Sequence, residues 1–249
     1  MDFSFNANNF RDLFQAAAED HLRTQKAQAG DDVNASQNIV PAMLQAIDVM
    51  QRADADFAAR DRQAEAELPL SQEDVTEIGD YTLSLLEALV SNEQDVSGHQ
   101  NRELMRLAIP VCVWVADHGG QLQHIELAVN SLAGYANELK DMLHLAELCR
   151  VMAKIIDAVT DEIRRDLEQT NPMRPWRILN LNYGIVATRS HDTALMEQAY
   201  AALVKNLPQD ARQFFREGMQ QMDIIGYPED VRAVVQKYDQ LWGAQSTLH

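Results

Sequence analysis

Apolar residues recur at steps of three and four along much of this chain, and the longest such series lies between Leu145 and Leu167. Its members are Leu145, Leu148, Met152, Ile155, Val159, Ile163 and Leu167. Residues at these intervals share one face of an α-helix, and Pro172 and Pro175 prevent the helix from continuing much further. The pattern predicts a long helix over residues 143–167 with this face in the core.

Shorter series of the same kind predict helices along most of the remaining chain. They cover residues 9–26, 37–67, 71–91, 125–139, 176–188, 193–206, 210–223 and 229–242. Only 10 glycines and 7 prolines occur in 249 residues, which disfavours a β fold rich in tight turns. Connections of a few residues make neighbouring helices antiparallel. The expected fold is all-α, with stacked antiparallel helical hairpins forming an α-α superhelix.

One segment leaves two interpretations open. Residues Ala108–Val115 are rich in β-branched side chains and could form a buried strand. No second convincing strand exists elsewhere in the sequence to pair with it. We therefore expect a buried helix that bends at Pro110 and ends at Gly119 and Gly120, because glycine readily adopts the left-handed conformation of a helix end.

The formal charge of −17 is concentrated in the first part of the chain. Residues 1–100 carry 6 Lys and Arg against 19 Asp and Glu, whereas the remaining 149 carry 15 against 19. An acidic surface repels nucleic-acid phosphates and anionic lipids, so neither nucleic acid nor a membrane is an expected partner. We expect residues 1–70 to form an acidic helical extension and residues 71–249 the hairpin array, unless both belong to one continuous domain.

The sequence also bears on where the protein resides. The longest apolar run, Leu107–Ala116, is about half as long as a bilayer-spanning helix. The first residues, Met1 to Arg11, lack the basic start and long apolar run of a signal peptide. A cytoplasmic location is therefore expected.

Residue types that carry catalysis or bind metals do not form a known motif in this chain. The spacing of His118 and His124 matches no zinc site, and we expect both to flank a solvent-facing turn. Cys112 and Cys149 lie in apolar series, so we interpret them as core residues without a redox role. We accordingly expect no catalytic residue, no metal and no cofactor.

The segment Trp176-Arg-Ile-Leu179-Asn180-Leu-Asn-Tyr183 resembles the first helix of a tetratricopeptide repeat, which reads Trp-x-x-Leu-Gly-x-x-Tyr. Over residues 176–208 the resemblance extends to Ala199, Tyr200 and Pro208. It departs at Asn180, where the repeat has glycine. Leu132-Ala-Gly134-Tyr135 is a looser match, and no strict 34-residue period runs through the chain.

This resemblance implies a function and a set of site residues. In tetratricopeptide arrays the first helix of each repeat lines a concave groove that holds a partner's extended peptide. Arg174, Arg177 and Leu181 would face that groove. Residues 150–189 also carry seven basic against five acidic side chains in an otherwise acidic chain, although these arginines could instead pair with carboxylates of the protein itself.

The expected function is that of a non-enzymatic scaffold or adaptor that binds a protein or peptide partner. The alternative from another class is an enzyme or small-ligand-binding protein with a pocket between helices. A self-associating structural protein is a third alternative, in which the chain forms a homo-oligomer.

Overall fold

A computed structural model of the chain describes residues 3–29, 34–61, 70–91 and 100–243. These residues form twelve helices and no strand, so the all-α prediction is confirmed for this part of the chain. The helices are α1 (Ala7–Ala29), α2 (Asn34–Asp61), α3 (Gln72–Ser91), α4 (Gln100–Arg106), α5 (Ala108–Asp117), α6 (Glu126–Glu138), α7 (Met142–Ala158), α8 (Asp161–Arg164), α9 (Pro175–Ser190), α10 (Thr193–Asn206), α11 (Pro208–Ile225) and α12 (Glu229–Gly243).

The described residues divide into two compact units. The N-terminal unit contains described residues from 3 to 131 together with Asp157–Thr160, and the C-terminal unit contains residues 132–156 and 161–243. In the N-terminal unit, α2 packs against α1 and α3, and α3 also packs against α4 and α5. Its core includes Phe14, Ile47, Leu86, Leu104 and Val111.

The predicted boundary at residue 70 lies beside residues 62–69, which are outside the described part of the chain. The predicted end of the second helix at Glu67 is outside it as well. The division into an acidic extension and a hairpin array therefore stays a prediction. Since α2 packs directly against α3, at least the second of the acidic helices belongs to the core of the N-terminal unit.

Residues 108–117 are helical as predicted, and the helical hydrogen bonding is interrupted at Leu107, three residues before Pro110. α4 ends at Arg106 and α5 begins at Ala108. Pro110 has no N–H to donate to the Arg106 carbonyl, and its ring would collide with that carbonyl in a continuous helix, so the break precedes the proline. At the other end Gly119 has a φ of +76°, and Gly120 donates to the Val115 carbonyl at 2.9 Å, as expected for a glycine-terminated helix.

The long helix predicted for residues 143–167 stops after Ala158. Val159 forms an isolated parallel bridge with Leu122: the Leu122 amide donates to the Ala158 carbonyl at 2.8 Å, and the Thr160 amide donates to the Leu122 carbonyl at 3.1 Å. These bonds replace the helical ones at this point. The first part of the apolar face is buried as predicted, but Leu167 at its end is 84% exposed, so the prediction of a single helix to Leu167 is wrong.

The C-terminal unit is built around two helical hairpins, α9–α10 and α11–α12. His191, with a left-handed φ of +57°, ends α9, and the carboxylate of Asp192 caps α10 by accepting from the Ala194 and Leu195 amides at 3.0 and 3.1 Å. So short a connection returns the chain antiparallel. α10 also contacts both α11 and α12. The four predicted helices of this region are confirmed to within a few residues.

None of the helices in the described part of the chain combines the length and the apolar character needed to cross a bilayer.

Candidate interaction site

The loop between α8 and α9, residues 165–174, is stabilised by the buried side chain of Arg174. Arg174 is 4% exposed, and its Nε and Nη2 both donate to the carboxylate of Asp166, the latter at 2.7 Å. Its Nη1 donates to the carbonyls of Gln169 and Asn171 at 3.3 and 2.9 Å. The hydrogen bond to Asp166 raises the pKa of Arg174 above its already high value, so the side chain stays charged. A bidentate ion pair and two carbonyl contacts therefore fix the course of the loop.

Asp166 accepts this arginine from an uncommon backbone conformation, with a φ of +50°. Aspartate enters the left-handed region more readily than most residues, but such a conformation persists only where the surrounding contacts hold it. Here the carboxylate is buried, pairs with Arg174, and also accepts from Nε2 of Gln209 on α11 at 3.2 Å. The ion pair and the turn of the backbone thus support each other.

A second arginine ties the loop to the helices that follow it. Nε of Arg177 donates to Oδ1 of Asp210 at 2.7 Å, and its Nη1 donates to the Pro172 carbonyl at 3.1 Å. Asp210 lies in the first turn of α11, where the helix dipole favours a negative charge. Its Oδ2 is 3.9 Å from Nη2 of Arg174. The loop is consequently braced by both α9 and α11.

Two apolar side chains of this braced loop are exposed to solvent. Leu167 follows the buried Asp166 and is 84% exposed, and Met173 precedes the buried Arg174 and is 69% exposed. A loop whose course is already fixed loses little conformational freedom on binding, and methionine adapts well to irregular partner surfaces. Chemically, this arrangement can dock an apolar surface without any reaction at the site.

The structure places the three predicted site residues in different surroundings. Arg174 is buried and paired with Asp166, which differs from the expected position facing a groove. Arg177 keeps 25% of its side chain exposed while pairing with Asp210, and Leu181, farther along α9, is half-buried. Their role in partner binding stays a prediction. Arg174 would contribute to it by fixing the conformation of the loop, because its own charge is paired with Asp166.

Sequence reasoning missed the residues that distinguish this loop, namely Asp166, Leu167 and Met173. Leu167 fits the end of the apolar series, so its spacing predicted burial. Asp166 and Arg174 are eight positions apart with Pro172 between them, so they do not belong to one regular helix or strand whose periodicity would relate them. The one available signal was the pair of prolines, Pro172 and Pro175, because they require non-helical backbone just before α9.

The residues that resemble a tetratricopeptide repeat are buried in the α9–α10 hairpin. They are Trp176, Leu179, Asn180, Tyr183, Ala199 and Tyr200. Asn180, at the repeat's glycine position, donates from Nδ2 to the Trp176 carbonyl at 2.9 Å and accepts from Nδ2 of Asn206 at 2.8 Å. The close approach is made one turn later, at Gly184, where an added Cβ would lie 2.6 Å from Cζ of Phe214.

Groups elsewhere that could carry chemistry are buried or engaged. Burial raises the pKa of the Cys112 and Cys149 thiols to about 12, so neither is a nucleophilic thiolate at neutral pH. His118, predicted to face solvent, lies instead against α2 with its Nε2 3.2 Å from Oδ1 of Asp54. Within the described ranges, no three His, Cys, Asp or Glu side chains gather closely enough to hold a metal ion.

Comparison with protein-family models, with curated proteins and with solved structures finds no match to this chain. The likeness to a tetratricopeptide repeat therefore rests on the residues of α9 and α10 alone.

Proposed function

We propose that this protein is a non-enzymatic interaction module that binds a protein partner through the 165–174 loop and the first turns of α9. One observation carries the proposal: a buried ion pair, Arg174–Asp166, fixes a loop on which Leu167 and Met173 are exposed. Large apolar side chains on a fixed surface are a common feature of binding sites.

The energetics favour binding by such a loop. Burying Leu167 and Met173 against a partner contributes about 1.5 to 3 kcal/mol for each side chain. A mobile loop would lose much of this gain to the entropic cost of ordering, about 1 to 2 kcal/mol for each residue that must be fixed. Because the contacts of Arg174 already order the loop, most of the gain is retained on binding.

The local charge indicates which kind of partner fits. Residues 150–189 have a small basic excess in a chain of net charge −17. Arg165 is exposed at the start of the loop, and Arg177 is partly exposed just beyond its end. Guanidinium groups bind carboxylates through charge-assisted hydrogen bonds. The partner that fits best presents apolar side chains next to Asp or Glu.

The proposal includes a tetratricopeptide-like stacking of the hairpins α9–α10 and α11–α12. Its support is the contact of α10 with both helices of the next hairpin, together with the buried motif residues of α9. Stacked hairpins of this kind offer an extended binding surface. Arg177 and Leu181 on α9 would continue the site that begins with Leu167 and Met173.

A capture experiment with matched variants tests this function. The full-length chain is immobilised and compared with the double variant Leu167→Asp/Met173→Asp in lysate of the native cell, with bound proteins identified by mass spectrometry. Met142→Asp/Leu143→Asp is the control, since these residues are also large, apolar and exposed in the C-terminal unit. We expect a partner that the control retains and the loop variant loses.

Three other outcomes would change the account. Equal capture by the loop variant and the wild type would contradict the proposed site. Loss of the partner from the control variant alone would move the site to the start of α7. Recovery of only a second copy of this chain, lost in the loop variant, would replace partner binding by self-association.

A further inference from the structure

A histidine in the N-terminal unit is held between two oxygen atoms. His118 follows the last residue of α5, and its Nδ1 is 2.8 Å from the Trp114 carbonyl. Its Nε2 is 3.2 Å from Oδ1 of Asp54 on α2. The same Oδ1 accepts a hydrogen bond from Nε1 of Trp114 at 2.7 Å. One carboxylate thus joins α2 to two side chains near the end of α5.

The geometry selects a protonation state for His118. A carbonyl oxygen only accepts hydrogen bonds, so Nδ1 must carry a proton and donate it to Trp114. In the neutral ring Nε2 would then direct a lone pair at the Asp54 carboxylate, which is repulsive. The imidazolium ion has a proton on each nitrogen and satisfies both oxygens. Its side chain is 14% exposed, so water can replace these contacts only in part.

The surroundings of the ring also favour the cation. The rings of Phe57 and Trp114 lie against His118, with centroids 4.3 and 4.7 Å away, and aromatic rings attract a cation. Burial on its own lowers the pKa of His118, but the hydrogen bonds to Asp54 and Trp114 and the charges of Asp54 and Asp117 outweigh it. The pKa is therefore raised above the ordinary 6.5.

Charged groups on α3 and α4 make contacts with residues other than His118. On α4, Glu103 and Arg106 pair with each other at 2.9 Å. On α3, the carboxyl of Asp80 interacts with His124 and with the backbone of Gln123. Among the described residues, Asp54 and Asp117 are therefore the charges that act on His118.

We propose that His118 forms a pH-sensitive contact that stabilises the packing of the second half of α2 against the end of α5 when its ring is charged. The bridge Asp54–His118–Trp114 is complete in the imidazolium form and loses its Nε2 contact in the neutral form. Since the folded pKa is raised, the contribution to stability is fully present below about pH 6.5, the value of the unfolded chain. It is lost as the pH rises through the higher folded value.

Hydrogen exchange in the full-length protein tests this pH-sensitive contact of His118. Amide protection of residues 50–61, which span Asp54 and Phe57, is measured by mass spectrometry between pH 5.5 and 8.5 and corrected for intrinsic exchange rates. We expect the protection in the wild type to fall by about three- to tenfold across this range. The expected change is modest because solvent weakens a hydrogen bond to a partly exposed charge. His118→Gln should remove this dependence.

His144→Gln is the matched control. This histidine also lies beside a carboxylate, with Nδ1 3.3 Å from Oδ1 of Asp141, but it is far more exposed than His118. Its loss should leave the pH dependence of residues 50–61 unchanged. Wild-type protection that does not vary with pH, or the same variation in His118→Gln, would overturn the proposal.

A direct titration keeps the test independent of how the variant folds. Nuclear magnetic resonance of the wild-type protein should show the His118 imidazole titrating above pH 6.5, the ordinary value for histidine. A His118 ring that titrates below pH 6.5 would overturn the proposal whatever the variants do.

Discussion

Arg174 and Asp166 form an ion pair that is almost wholly buried, yet each has an exposed apolar neighbour in the sequence. The guanidinium and the carboxylate are 5% and 6% exposed, whereas Met173 and Leu167 beside them are among the most exposed large apolar residues of the described chain. The buried pair therefore fixes the conformation of the loop and leaves Met173 and Leu167 exposed on the surface of the C-terminal unit.

Replacing Arg174 should unfold this loop. Arg174→Ala leaves the Asp166 carboxylate buried with only Gln209 as a side-chain donor, and we expect a loss of about 3 kcal/mol, the low end for a broken buried pair. Arg174→Lys keeps the charge but not the planar set of donors, so it should lose about half as much. Urea unfolding measures both. The neighbouring Arg165→Ala is the control and should change stability by less than about 0.5 kcal/mol.

Two residues of one apolar series should respond in opposite ways to the same substitution. Ile155 is fully buried, so Ile155→Asp places a carboxylate in an apolar core, where its pKa rises or the chain unfolds. Leu167 is exposed, so Leu167→Asp should melt like the wild type. Thermal melting followed by circular dichroism distinguishes the two. Equal destabilisation by both substitutions would restore the continuous helix that the structure excludes.

Gly184 should be needed for close packing between the two C-terminal hairpins. A Cβ at this position would lie 2.6 Å from Cζ of Phe214 and 3.3 Å from Cδ1 of Leu203. We expect Gly184→Ala to cost about 1 kcal/mol, because the end of an aromatic side chain can shift in part. Gly134→Ala in α6 meets no atom within 4 Å and should gain up to about 1 kcal/mol from helix propensity. Chemical unfolding of the two variants checks the difference in sign.

The two thiols should be inert in the folded protein. With pKa values raised to about 12 by burial, Cys112 and Cys149 have almost no thiolate at pH 7.5. We expect no alkylation by iodoacetamide until denaturant is added, as read by intact mass. Ser84→Cys, at an exposed position of α3, supplies a reactive control. Rapid alkylation of either native cysteine would revive a catalytic or redox interpretation.

The sequence predicts the helices of this protein well where local patterns decide them. The hairpins of the C-terminal unit follow from apolar spacing and from turn residues such as Asp192, Pro208 and Gly226. The buried helix α5 follows from the absence of a partner strand for Ala108–Val115. These features depend on residues that are close in the sequence.

The failures involve contacts between distant residues. α7 ends because Ala158 and Thr160 bond to Leu122, more than thirty positions away, and periodicity contains no information on such a contact. Asp54 and His118 meet across a still larger separation in the sequence. The resemblance to a tetratricopeptide repeat placed Arg174 facing a groove, and only the fold shows that it pairs with Asp166 inside the loop.

Photo-crosslinking at the loop tests the central claim most directly. A benzophenone amino acid replaces Leu167 in the full-length protein, and in a second variant it replaces Leu143, which is similarly exposed on the same unit. On irradiation in the native cell, we predict a discrete crosslink to one partner protein from position 167, reduced by Arg165→Glu, and none to that protein from position 143. The absence of a protein crosslink at position 167, or the same products from both positions, would contradict the proposal that this loop is a binding site.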